Sequence, residues 1–240
     1  MILEKLGCCE NRQPFCVYVA GAGGKTSWIR YLAAGERKKG KRILILTSTH
    51  MCAPEAFGSV RGEEDCREAA SVRLWEEEIG RRLRTEGIVI AGKRCGEGKI
   101  GWVGETVYER VKPWADVVLI EADGSRHLPV KVPGKKEPVI FPDADLIFVT
   151  EGMNAVGKPL REVCHRLESA KRILGCGEED LVTADMVRRM YREGYEPALR
   201  AAHPGVPVLP VWVYQEEAAN PWEWERDRSG AVTGILWKHD

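Results

Sequence analysis

Long hydrophobic runs and a net charge are both missing from this sequence of 240 residues. No apolar stretch reaches the roughly 20 residues that a membrane-spanning helix needs, and the first residues lack the apolar core of a signal peptide. The 36 basic and 36 acidic residues balance, so the chain has no basic footprint for nucleic acid or an acidic membrane surface. We therefore predict a cytoplasmic protein that partners neither nucleic acid nor membrane.

Cysteine occurs at eight positions, but the spacing C-x-x-C is missing. Its absence argues against a structural zinc site or a thioredoxin-like redox pair. The adjacent Cys8 and Cys9 have two interpretations: a soft ligand for selenium or a metal, and free thiols in a reducing cytosol, which is favoured. Cys16 lies in an apolar segment and is expected to be a small core residue.

The most informative segment is CVYVAGAGGKTSWIRYLA, residues 16–33, in which an apolar strand leads into a glycine-rich loop and an amphipathic helix. Glycines let the backbone turn sharply and bring its N–H groups close to an anion, and the helix N-terminus adds a positive dipole. Lys25 then reaches the β and γ phosphates of a nucleotide, and the Thr26 hydroxyl binds Mg²⁺. The predicted phosphate-binding loop consists of Gly21, Ala22, Gly23, Gly24, Lys25, Thr26 and Ser27.

The first glycine of the full pattern G-x-x-x-x-G-K-[ST] is missing, because Val19 stands five residues before Gly24. The match therefore covers only the second half of the motif. The alternatives are a tighter phosphate loop and a glycine-rich turn without a ligand. We favour the first, since Gly-Lys-Thr stands where the strand and helix patterns meet.

Apolar runs alternate with helical patterns along the chain, which is typical of a parallel α/β sheet. Strands are predicted at 15–20, 42–49, 87–93, 116–124, 145–150 and 206–214, with a short arm at 99–104. Helices are predicted at 28–39, 63–85, 104–112, 159–174 and 183–203. We expect one P-loop NTPase-like α/β domain over 1–240, a mostly parallel sheet flanked by helices, with a helical insertion at about 157–203. Pro210 predicts an edge or a bulge for the last strand.

Ligands of open α/β sheets lie beyond the carboxyl ends of the strands. Glu121 and Asp123 follow the apolar run VVLI, and such an acidic strand end holds Mg²⁺ or its waters unless it is merely an exposed turn. Thr49 and His50 close the motif TSTH at a neighbouring strand end. Thr49 is a candidate Mg²⁺ or water ligand and His50 a candidate acid–base group, with capping of the next loop as the alternative for both.

Cations follow the acidic turn at Arg126 and Lys131. A cation there stabilises charge that develops during phosphoryl transfer, or binds an anionic partner, whereas loop cations are commonly only solvated.

A series of motifs resembles the YqeC family, whose members are described as P-loop accessory factors for selenium-dependent molybdenum hydroxylases. The motifs are GAGGKTS (21–27), TSTH (47–50), EADGSRHLPVKVP (121–133), EPVIFPDADLIFV (137–149), GMNAVGKPL (152–160) and CHR (164–166). The resemblance covers about residues 6–215. It implies a nucleotide-binding protein that acts in selenium-cofactor biosynthesis or insertion, with a molybdenum hydroxylase or a selenium-transfer protein as partner.

The resemblance also implies roles for individual residues. The loop would bind phosphate and Mg²⁺, and Glu121 and Asp123 would lie beside the metal and the attacking water. Substrate- or partner-facing positions would be Arg126, Lys131, Glu137, His165 and Arg166.

The guanine-reading motif Asn-Lys-x-Asp of P-loop GTPases is missing, since the corresponding stretch is VWVYQEE at 211–217. The motif therefore does not favour GTP, and the expected nucleotide is either ATP or GTP. A second lysine early in the loop is missing as well, because Ala20 stands there, so no lysine from a second subunit is predicted.

Three functions stay open. The favoured one is an Mg²⁺-dependent NTPase with Lys25, His50, Glu121 and Asp123 as catalytic residues. The others are a nucleotide-sensing adaptor without turnover and an ATP-dependent ligase that forms an acyl phosphate.

Overall fold

The structure, a computed structural model, describes residues 2–6, 14–52, 60–62, 69–96, 98–216 and 221–239. The chain divides into two compact units, each built from separate stretches of sequence. The first unit contains Met1–Tyr18, Thr26–Asp123 and Val139–Asp145, and the second contains Val19–Lys25, Gly124–Pro138 and Leu146–Asp240. The expectation of a single domain over 1–240 stays a prediction.

The first unit is α/β. Its strands are β1 (Phe15–Gly21, whose last three residues belong to the second unit), β2 (Ile43–Thr47), β3 (His50–Cys52), β4 (Val60–Gly62), β5 (Ile88–Arg94), β6 (Lys99–Gly101) and β7 (Val117–Glu121). Its helices are α1 (Ile2–Lys5), α2 (Lys25–Arg37), α3 (Ala69–Thr85) and α4 (Glu105–Val111), with a 3₁₀ turn at Lys112–Trp114. The strand order is β1-β7-β2-β5-β6-β3, with β4 on β5.

Burial explains the central strands of this unit. Every residue of β2 and β7 is buried, as expected of parallel strands that are covered on both faces. β2 runs parallel to β5 and to β7, whereas β6 is antiparallel to β3 and β5. α3 buries Trp75, Ile79 and Leu83 at four-residue spacing, which confirms the predicted amphipathic helix from Ala69 onward. The part predicted at 63–68 lies outside the described residues.

The second unit is also α/β. Its further strands are β8 (Val130–Lys131), β9 (Leu146–Gly152), β10 (Cys164–His165), β11 (Val208–Gln215), β12 (Trp222–Arg226) and β13 (Val232–His239). Its helices are α5 (Leu160–Val163), α6 (Leu167–Leu174), α7 (Ala184–Arg189), a π-helix (Met190–Tyr195) and α8 (Glu196–Ala202), with a 3₁₀ turn at Met153–Ala155. The sheet order is β12-β13-β11-β9-β1, and β8 pairs with β10 separately.

The predicted class, α/β with a mostly parallel sheet flanked by helices, is confirmed. The helices predicted between 159 and 203 are interrupted twice, by β10 and by the π-helix, and neither interruption was predicted. The strands β12 and β13 were also not predicted.

The prediction from Pro210 is wrong, because β11 lies between β9 and β13 rather than at an edge. Pro210 pairs with Val149 of β9, and pairing with β13 begins only at Val211. Pro210 thus lies just before the hydrogen-bonded ladder between β11 and β13. Its lack of an N–H group therefore breaks no bond of that ladder, and an interior strand can contain it.

Among the described residues, no helix combines the length and the apolar character needed to cross a membrane. The prediction of a cytoplasmic location stays a prediction.

Candidate functional site

The turn between β1 and α2 requires its glycines. Gly21 has φ +102° and Gly24 has φ +85°, the left-handed region that L side chains rarely adopt. A Cβ at Gly21 would lie 2.1 Å from the carbonyl oxygen of Thr150, and one at Gly24 would lie 2.8 Å from Val213 Cγ1. The backbone of this turn thus packs directly on β9 and β11 of its own unit, and a side chain at either position would displace it.

Two N–H groups of the turn already bind protein oxygens. Ala22 donates to the Thr150 carbonyl at 2.7 Å, and Gly23 donates to the Pro129 carbonyl at 2.9 Å. These two bonds hold the turn in its conformation. Since the first N–H groups of a helix have no acceptors within it, the predicted anion site would begin at Gly24 and the first turn of α2, which starts at Lys25.

Lys25 begins α2 and is almost completely buried. Its Nζ donates to the Gly21 carbonyl at 2.8 Å and lies 3.5 Å from the Ala22 carbonyl. The ammonium group is thus folded over the turn, in contact with the loop that the sequence predicts to bind phosphate. Ser27 lies in the first turn of α2 and is partly exposed.

In the first unit, Thr26 and Glu121 contact each other directly. Thr26 Oγ1 donates to Glu121 Oε2 at 2.9 Å. Glu121 ends β7 and is buried. Its position is fixed by β2, since Thr47 pairs with it in register and donates through Oγ1 to its carbonyl at 3.0 Å. A threonine hydroxyl and a carboxylate are therefore together, as the predicted Mg²⁺ ligands require.

The other predicted ligands are placed near the ends of the same strands. Asp123 is fully buried two residues after β7. Thr49 donates its N–H to Thr47 Oγ1 at 3.1 Å, and its own buried Oγ1 has no hydrogen-bond partner within the described residues. His50 is exposed and begins β3, where it pairs with Gly101. The structure thus brings Thr26 and Glu121 into direct contact, and places His50 in the β3–β6 pair.

No group of three or more His, Cys, Asp or Glu side chains is arranged to hold a metal in the described parts of the chain. A magnesium ion shared with nucleotide phosphates needs only one or two carboxylates from the protein. The Thr26–Glu121 pair is compatible with such a site. Cys8 and Cys9 lie outside the described residues, and Cys16 is a buried free thiol as expected.

A second group of predicted residues forms a network within the second unit. Lys131 is fully buried, and its Nζ contacts the Gly124 carbonyl at 2.7 Å and Glu137 Oε2 at 2.9 Å. The other oxygen of Glu137 lies 3.0 Å from Arg166 Nη2. Burial raises the pKa of Glu137, but the hydrogen bonds and charges of Lys131 and Arg166 outweigh it and lower the pKa to about 2. Glu137 is therefore a carboxylate shared by two cations.

His165 is held beside this network because β10 pairs with β8, which places His165 opposite Lys131. Burial lowers the pKa of His165, and the charges of Lys131, Arg166 and Arg126 lower it further. Arg126 and Arg166 adopt positive φ values of 52° and 71°, a conformation that is unfavourable for residues with a side chain. The predicted substrate-facing residues thus share one electrostatic environment.

Sequence reasoning missed Glu151, which is fully buried in β9 and accepts the Lys131 N–H at 3.1 Å through Oε2. The signal was present, since Thr150, Glu151 and Gly152 end a buried strand. The rule that selected Glu121 at the end of β7 selects these residues equally.

By class, the chain is an α/β protein whose predicted ligand residues lie in a glycine-rich strand-to-helix turn and at an acidic strand end. A family model described as "YqeC protein" matches residues 17–168. The chain is 33% identical over 170 residues to "Uncharacterized protein YqeC" of Escherichia coli (strain K12), a match that covers 69% of this chain. The chain belongs to the YqeC family.

The matched range includes the turn, the acidic strand end and the network around Lys131. The name of the E. coli relative specifies no activity, and this chain spans 62% of that relative's length. The comparison therefore assigns no activity, substrate or partner to this chain.

Proposed function

We propose that the chain is an Mg²⁺-dependent nucleotide-binding protein with a P-loop NTPase-like fold. The observation that carries the proposal is the 2.9 Å hydrogen bond from Thr26 Oγ1 to Glu121 Oε2. It joins the first hydroxyl of α2 to the carboxylate that ends β7, and both are the hard oxygen ligands that Mg²⁺ prefers. Lys25, the residue before Thr26, supplies the adjacent cation.

The turn supports the phosphate half of this proposal. The phosphates of ATP or GTP would meet the N–H groups from Gly24 into the first turn of α2, where the helix dipole favours an anion. Lys25 Nζ would exchange the Gly21 carbonyl, now at 2.8 Å, for a phosphate oxygen. This exchange replaces a neutral acceptor by a charged one, which makes the stronger hydrogen bond.

Thr26 and Glu121 are the proposed Mg²⁺ ligands. Their oxygens would hold Mg²⁺ directly or through its waters, and the ion would neutralise charge on the phosphates. Asp123, fully buried two residues further on, is proposed to orient the attacking water. Thr49 is proposed as an additional ligand, because its buried Oγ1 has no hydrogen-bond partner within the described residues. His50 is retained as a candidate acid–base group.

We propose hydrolysis of ATP or GTP as the activity, with nucleotide sensing without turnover as the alternative. The cellular role, selenium-cofactor biosynthesis or insertion into a molybdenum hydroxylase, is supported only by the family resemblance. A cytoplasmic location belongs to the same proposal.

Calorimetric titration of the chain with ATP and with GTP, with and without Mg²⁺, tests this function when phosphate release is followed in the same samples. Lys25→Ala should weaken nucleotide binding at least about a hundredfold, because it removes the cation at the phosphates. Glu121→Gln should reduce the gain in affinity that Mg²⁺ gives, while binding without Mg²⁺ changes little. Lys38→Ala is the matched control, since Lys38 is an exposed lysine just beyond α2.

Unchanged affinity in Lys25→Ala would contradict the phosphate-loop assignment. An unchanged Mg²⁺ effect in Glu121→Gln would show that the Thr26–Glu121 pair is structural. Binding without phosphate release would identify the sensing function, and release that requires a carboxylate co-substrate would identify a ligase.

A further inference from the structure

The second unit contains a cavity of about 440 Å³ that none of the predicted site residues lines. Its walls are α7, the π-helix and α8 on one side, and β11 to β13 on the other. Small-molecule sites in proteins are typically clefts of roughly 300 to 1,000 Å³. The cavity has the size of a ligand site, and it lies C-terminal to the matched family range, which ends at residue 168.

One wall of the cavity is a row of charged side chains at four-residue intervals, Arg188, Arg192, Glu196 and Arg200. In a regular α-helix each residue turns by about 100°, so side chains four apart drift by about 40° and those twelve apart by about 120°. The π-helix Met190–Tyr195 lies in the middle of this row. A turn closed by i→i+5 bonds holds more residues than an α-turn, so it offsets the drift. The π-helix therefore keeps all four side chains on the cavity.

At one end of the cavity, the ring of Trp212 lies beside the charged pair Arg188 and Glu225. Trp212 of β11 is buried, and the Arg188 guanidinium lies 5.2 Å from the centre of its ring. Glu225 fixes both groups, with one oxygen 2.6 Å from Arg188 and the other accepting the indole N–H of Trp212 at 2.6 Å. Val208 and Pro210, both buried in β11, line the cavity beside them. Arg188 is thus held in the cavity wall by its ion pair with Glu225, which is largely buried.

The outer arginines are held more loosely. Arg192 pairs with Asp185 at 3.0 Å, and both side chains are more than half exposed. Arg200 pairs with Glu196 at 2.8 Å, and its side chain is 58% exposed. Exposed ion pairs contribute about 0–1 kcal/mol, so a ligand anion can compete for these guanidinium groups.

The charges that line the cavity do not cancel. Four arginines, including Arg226 of β12, face two carboxylates, those of Glu196 and Glu225, and Asp185, which pairs with Arg192, leaves an excess of one positive charge. Planar guanidinium groups bind carboxylate and phosphate through two parallel hydrogen bonds. An excess of such groups over an apolar wall is the arrangement that an amphipathic anion requires.

We propose that this cavity binds a small organic oxyanion, a molecule with a phosphate or carboxylate group on an apolar body. Arg192 and Arg200 hold the anionic group, and the apolar body packs on Val208, Pro210 and the Trp212 end. The proposal does not depend on nucleotide binding by the turn at Gly21–Lys25.

Calorimetric titration with phenyl phosphate, benzoate and inorganic phosphate tests the site on the whole chain. The two organic anions should bind more tightly than inorganic phosphate, because only they contact the apolar wall. The double variant Arg192→Ala/Arg200→Ala should weaken their binding at least about tenfold. Arg192→Lys/Arg200→Lys should give an intermediate loss, since it keeps the charge and removes the planar fork.

The matched control is Arg161→Ala/Arg172→Ala, which removes two exposed arginines of the same unit that do not line the cavity. It should change the affinities less than about twofold, and Lys25→Ala should leave the affinity for benzoate, which carries no phosphate, unchanged. Equal loss in the control pair, or loss of benzoate binding in Lys25→Ala, would overturn the proposal. Failure of both organic anions to bind at millimolar concentration, or inorganic phosphate that binds the Lys25→Ala variant as tightly as they do, would overturn it as well.

Discussion

At the scale of single residues, Lys131 carries a fully buried ammonium group. Its side chain has no exposed surface, and its Nζ lies 2.9 Å from Glu137. A buried ammonium group strongly destabilises a fold when its partner is removed. Glu137 therefore stabilises the fold by compensating the buried charge of Lys131. The family resemblance also implies a substrate-facing role for it.

The pH dependence of stability should reveal the contribution of the Glu137 carboxylate. The folded pKa of Glu137 is about 2, below its ordinary 4.5, so its carboxylate stabilises the fold above pH 4.5 and this contribution is lost as the pH falls from 4.5 towards 2. Glu137→Gln should lower the free energy of unfolding at neutral pH by about 2–3 kcal/mol and flatten the profile in that acid range.

Urea unfolding measured across the acid range provides the test. Glu168→Gln is the control, because Glu168 is 78% exposed and pairs with the partly exposed Lys171. It should change stability by less than about 0.5 kcal/mol. Equal effects of the two substitutions would refute the structural role of Glu137.

At the scale of elements, the turn from β1 to α2 should tolerate substitution least. Gly21→Ala combines a positive φ with a Cβ only 2.1 Å from a backbone oxygen. Gly40 is a matched control, since it has φ +82° and open space around its Cβ position. Gly40→Ala should cost about 1 kcal/mol of unfolding free energy and Gly21→Ala more than about 3 kcal/mol, both by urea unfolding. Similar losses at the two glycines would show that the contact with Thr150 relaxes freely.

Local sequence patterns predicted most of the helices and strands, because apolar strand runs and helical periodicity depend on residues that are close in sequence. The turn glycines, Lys25 and Glu121 were proposed as site residues from the same local patterns, and that assignment stays a prediction. Pairing across long stretches was not predictable: the position of β11 inside its sheet depends on β13, which follows it by 17 residues from Gln215 to Val232. The contact between Lys131 and Glu151, 20 residues apart, is of the same kind.

At the scale of the whole molecule, the balance of charge should govern solubility. The sequence has 36 basic and 36 acidic residues and an isoelectric point near 7.0. Solubility should pass through a minimum near pH 7.0, since repulsion between molecules is weakest there, and it should rise by about twofold or more in acid and alkaline buffers.

Precipitation by polyethylene glycol across pH measures this minimum. Lys38→Glu should move it to lower pH and Glu77→Lys to higher pH, because both residues are exposed and each change alters the net charge by two. A minimum that stays in place in both variants would contradict the explanation by net charge.

The π-helix also has a consequence for how this chain tolerates gain and loss of residues. Removing one residue from an ordinary α-helix rotates all following side chains by about 100° about the helix axis, so the buried face no longer contacts its neighbours. Removing one residue from Met190–Tyr195 would instead leave a regular α-helical path. Such a deletion would keep the helical segment continuous, and it would leave Arg200 within about 20° of Arg188 around the helix, because eleven residues at about 100° each make three turns and 20°. Loss of one residue should therefore be tolerated better within these six residues than elsewhere in the helical segment.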